Sequence, residues 1–158
     1  MKNVPSVVTT LVVMLAGPAS DPAPAPALAA PRIIMFYGGV LEGRRYMTTF
    51  DENMRFMGAL SEPAPITRDA IPDRPSIEVA LYWHNPTWEP YVRDTARLEG
   101  LRPEWAQPAR FYLGGGQTPP VFDYYSAAFE PGLRAVSPAG LEILERHHVP
   151  VHDDRRGR

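Results

Sequence analysis

The chain has 158 residues and a formal net charge of −2, which offers no electrostatic case for nucleic acid or an anionic membrane surface. With 44% hydrophobic and 22% charged residues and no cysteine, it has the make-up of a soluble globular protein without disulfides, thiolate metal sites or cysteine nucleophiles. Nineteen prolines are more than twice the usual ~5%, and they cut the chain into elements too short for a long-helix bundle.

Met1-Lys2 followed by the apolar run from Val7 to Ala16 has the form of a basic start and an h-region. This reads as a secretory signal over residues 1–17, too short for a membrane span of about twenty residues. Small-residue matches place cleavage after Ala19 or after Ala29. Residues 18–31 alternate proline and alanine and read as an extended spacer outside the fold. The expectation is a protein exported to the periplasm or the medium, with no stable membrane span once the signal is removed.

A single body is expected over 32–151. Arg32 to Tyr37 is apolar on both faces and stops at Gly38-Gly39, as a central strand would. Arg45 to Phe50 is its hairpin partner. Asp51 is placed as the N-cap of a short helix to about Leu60, with Met54, Met57 and Leu60 on one side. Ser61 to Pro75 holds four prolines and reads as loop. Ser76 to Trp83 alternates strictly, Ile77, Val79, Leu81 and Trp83 against Ser76, Glu78, Ala80 and Tyr82, which is the pattern of a half-buried strand.

His84 to Tyr91 then breaks into a proline-punctuated loop. Glu89 to Leu101 allows two turns of helix ending at Gly100, and Arg102-Pro103-Glu104 opens a short turn with proline in its first position. Ala109–Leu113 and Val121–Tyr125 form a hairpin across a glycine-rich crossing. Ser137 caps a helix to His148, and Val149-Pro150-Val151 stops it. Residues 152–158 are a charged tail. The fold class is therefore α+β: a small single domain whose antiparallel sheet of four to five strands packs one face on two to three short helices.

The stretch with the most varied chemistry is the end of the best strand and the loop after it. Tyr82, Trp83, His84, Trp88, Glu89 and Tyr91, with Glu78 upstream, are the candidate ligand-binding residues. Indole faces stack on planar or sugar-ring ligands while carboxylates orient them. His84 could serve as a base if Glu89 or Glu78 oriented it. The plainer reading has Trp83 ending a core face, Trp88 covering a core edge, and Glu78 paired on the surface with Arg110.

His148 and His152 have a helical zinc spacing, but Pro150 denies them that helix, so they are weak metal candidates. Met35, Met47, Met54 and Met57 could hold Cu(I), though core filling accounts for them as well. Gly114–Gly116 fits neither phosphate-cradle template. Fifteen of the sixteen basic residues are arginine, without a cluster that would make an anion site. No cofactor is implied.

The leading expectation is an exported, non-catalytic module binding a small ligand or a protein partner through the 82–91 stretch. The alternatives are a small exported hydrolase acting on sugar or cell-envelope material, and an exported metal-binding protein. Export has a direct check: protein recovered from the periplasm or medium should have an intact mass lacking residues 1–19 or 1–29, and a full-length mass there would contradict the signal.

Overall fold

A computed structural model describes residues 30–71, 73–125 and 132–154. The segment expected to be a signal, most of the expected spacer and the last four residues of the expected tail lie outside the described residues. Strand β1 (Ile33–Tyr37) is the apolar run, and β2 (Arg44–Met47) is its hairpin partner. The turn between them needs glycine at Gly38 and Gly39, whose φ values are +62° and +59°. At Gly39 a Cβ would stand 1.9 Å from the Ser76 carbonyl oxygen, so no side chain fits there.

Strand β3 (Ser76–Tyr82) pairs with β1 on one side and with β4 (Gln107–Tyr112) on the other. β5 (Val121–Asp123) and β6 (Leu133–Ala135) complete one antiparallel sheet in the order β2-β1-β3-β4-β5-β6. Six strands replace the expected four or five. The additional one, β6, is three residues long and centred on Arg134, so it leaves no period-two signal.

Three α-helices accompany the sheet: α1 (Phe50–Gly58), α2 (Asn85–Arg93) and α3 (Pro138–Arg146). The sheet is covered on both faces rather than one. On the first face Ile34, Phe36, Ile77, Val79, Leu81, Phe111 and Phe122 pack against Phe56 and Met57 of α1 and Ile143 and Leu144 of α3. Phe56 sits edge-on to Phe36 (6.1 Å, 75°) and to Phe122 (5.7 Å, 77°), a preferred aromatic geometry.

On the second face Ile33, Met35, Ala80 and Tyr82 lie under Trp88, Leu98 and Leu101. Strand β3 is thus buried on both sides for most of its length, because Ala80 and Tyr82 are as covered as Val79 and Leu81. The methionines divide between the layers: Met35 belongs to the second, while Met47, Met54 and Met57 belong to the first. They fill core.

Helix α1 begins at Phe50 with Thr49 in the N-cap position and no side-chain cap bond; Asp51 lies inside the first turn, where it suits the helix dipole. The helix carries one fully buried polar residue, Asn53. Its Nδ2 lies 2.9 Å from the Pro31 carbonyl oxygen, 3.1 Å from that of Arg32 and 3.4 Å from that of Met47. One amide therefore ties α1 to the start of β1 and the end of β2. Ala30 and Pro31, placed by composition in the spacer, are buried.

Helix α3 starts as its sequence demands, with Ser137 Oγ accepting from the Gly140 amide at 3.4 Å. It approaches α1 closely: a Cβ on Gly140 would lie 2.8 Å from the Ala59 Cβ. Its end is a Schellman turn, with Val149 N–H bonded to Leu144 O and His148 N–H to Glu145 O. His148 occupies the left-handed position at φ 56°, where glycine is the usual residue.

Two substitutions test this account by chemical denaturation. Asn53→Ala strands carbonyls in the core and is expected to cost about 1–3 kcal/mol. His148→Gly relieves the left-handed strain and should gain about 1 kcal/mol. An unchanged midpoint in either variant would contradict the assignment.

Candidate functional site

Past Tyr82 the chain does not continue as a loop. It turns at His84 and enters α2. Two prolines made a loop the natural expectation, and one of them does no harm: Pro86 is the second helical residue, where the missing N–H has no partner to lose. Pro90 is interior, and such a proline costs about 3 kcal/mol. The helix holds because it carries Trp88 onto the second face of the sheet. Removing a buried tryptophan costs about 3–5 kcal/mol, enough to outweigh Pro90.

Trp88 is 8% exposed and has aromatic neighbours on several sides. The Tyr82 ring stands edge-on at 4.9 Å and 74°, Tyr91 is tilted at 6.1 Å, and Trp105 is stacked at 6.5 Å and 20°. Tyr82 is fully buried, and its hydroxyl donates to the Arg102 carbonyl oxygen at 2.9 Å. Burial pushes that hydroxyl well above the usual tyrosine range. Tyr82 and Trp88 are therefore core side chains of the second layer, unavailable as a ligand platform.

Trp83 points the other way, packing against the first core. Its Nε1 donates to Gln107 Oε1 at 2.8 Å, and Gln107 Nε2 in turn donates to the Tyr125 carbonyl oxygen. The two tryptophans expected to line one pocket lie on opposite faces of the sheet. His84 is exposed in the N-cap position of α2 without a side-chain cap bond.

Glu89 is anchored by arginines, 3.1 Å from Arg32 Nε and 3.4 Å from Arg93 Nε. The bond from Arg32, helped by Arg93, holds its carboxyl below the ordinary glutamate value. Glu78 sits directly across from Arg110, 3.5 Å away, both about half exposed. The pairing registers run Arg44, Tyr37, Glu78, Arg110, Asp123 straight across five strands. Arg68 closes the row on Asp123. Burial first, and the adjacent Glu78 carboxylate second, raise the Tyr37 hydroxyl above its usual value.

Glu78 and Glu89 do not meet. Arg32 N–H bonds the Tyr82 carbonyl, so its partner Glu89 lies at the Tyr82 end of β3. Glu78 is four residues back along that strand, about 13 Å away. Glu78 is paired with Arg110 and Glu89 with Arg32 and Arg93, and among the described residues no hydrogen bond joins His84 to either carboxylate.

The histidines fall in two places. His147 Nε2 lies 2.8 Å from Glu52 Oε2, joining Arg146 on the same carboxylate. His148 stands exposed at the helix end, and the His152 ring packs on Gly114, where a Cβ would be 2.8 Å from Nδ1. His148 and His152 rim one shallow hollow with Glu145 and Asp154. Among the described residues, however, no three His, Asp or Glu side chains are grouped to hold a metal ion, and no helix is long and apolar enough to cross a membrane.

Sequence reading passed over Trp105. It ends the short 3-10 turn Pro103–Trp105 that packs on β3 and β4, and it is 48% exposed. One contact of its indole is buried Trp88; another is the Arg102 guanidinium, 5.6 Å from the ring centre. A lone tryptophan between prolines has no periodicity to reveal it; its only signal was Pro103 at the head of a turn.

No family model, curated protein or solved structure matches the chain.

Glu89 yields a pH test. A carboxyl held below its ordinary value stabilises the fold fully above the usual glutamate range, and that stabilisation disappears as pH falls through the lowered value. Glu89→Gln should flatten the acid side of the plot of urea midpoint against pH. An acid side identical to wild type would show that the Arg32 pair contributes nothing.

Proposed function

We propose that the protein is an exported, non-catalytic binding module whose contact surface is the outer side of the second layer, centred on Trp105. The observation that carries this reading is the half-exposed indole itself. It is stacked on Trp88, with Arg102 against the ring, and partly exposed Tyr91 packs on the same Trp88. Tryptophan, tyrosine and arginine dominate the energetics of protein contacts, and a side chain already fixed by stacking loses little rotamer entropy on binding. A protein partner is the occupant this composition favours.

The hydrolase alternative needs acid and base to converge, and Glu78, His84 and Glu89 are dispersed. The metal-binding alternative needs at least three ligands to converge; His147 is bonded to Glu52, and among the described residues no such group forms around His148 and His152.

The reading is tested with the full exported chain as bait against proteins of its own compartment, wild type beside Trp105→Ala. The substitution should leave thermal stability nearly unchanged while weakening capture of any specific partner by at least tenfold, about 1.4 kcal/mol. Partner capture that survives Trp105→Ala intact would move the contact elsewhere on the molecule.

A further inference from the structure

We draw no further inference here: the strongest candidate, the polar hollow of about 510 Å³ between the Gly114–Gly116 loop, Arg74 and the Asp153–Asp154 segment, carries nothing, because Arg74 already commits Nε and Nη2 to the carbonyl oxygens of Leu113 and Pro119, its remaining nitrogen, Nη1, has no partner but is shut off from solvent, and nothing in the structure shows what covers it.

Discussion

Two adjacent inner strands, apolar on both faces for most of their length, set the rest of this structure. Strand β1 reads Ile-Ile-Met-Phe-Tyr, and its first four residues are fully buried. β3 beside it buries Ile77, Val79 and Leu81 on one face and Ala80 and Tyr82 on the other. A sheet apolar on both sides must be covered on both sides. Helices α1 and α3 take the first face. The second falls to the segment between β3 and β4, which supplies Trp88, Leu98 and Leu101. The aromatic stretch after β3 is rich in large side chains because it is a lid on the sheet.

That requirement explains the most costly local feature. An interior proline in a nine-residue helix is tolerated where the helix is pinned by what it buries. It also separates the parts of the aromatic layer by role: Tyr82 and Trp88 are spent on the core, and only the outermost ring, Trp105, remains at the surface in quantity. On the opposite face the constraint is polar. Asn53 collects carbonyls from the residues leading into β1 and from the end of β2, and Glu52 fastens the same helix to the end of α3 through Arg146 and His147. Those contacts fix where the helical layer sits over the sheet.

Much of the architecture was legible wherever side chains repeat with a clear period. The alternation of Ser76–Tyr82, the apolar run before Gly38 and the Ser137-Pro138 start of α3 each encode their element locally. The cross-strand partnership of Glu78 with Arg110 followed from the same alternation. What escaped depended on the far side of a contact. Period two in β3 announces a half-buried strand, yet Ala80 and Tyr82 are buried by residues further along the chain. The two prolines of α2 speak for a loop unless the burial of Trp88 is known. β6 is too short to show a pattern. The two tryptophans of the candidate site part for the same reason, since Trp83 and Trp88 are five residues apart but on opposite sides of one sheet. Trp105, the indole that does reach the surface, stands in a segment with no repeat at all.

Trp88 is a core side chain and Trp105 a surface one, and solvent quenching of tryptophan fluorescence measures that difference directly. Conservative Phe replacements leave Trp88 or Trp105 as the only indole of the folded protein. The account predicts blue-shifted emission that resists acrylamide for Trp88, and readily quenched, red-shifted emission for Trp105. A Trp88 as accessible to quencher as Trp105 would mean that His84–Arg93 does not cover the sheet, and the division between core and contact surface would fail with it.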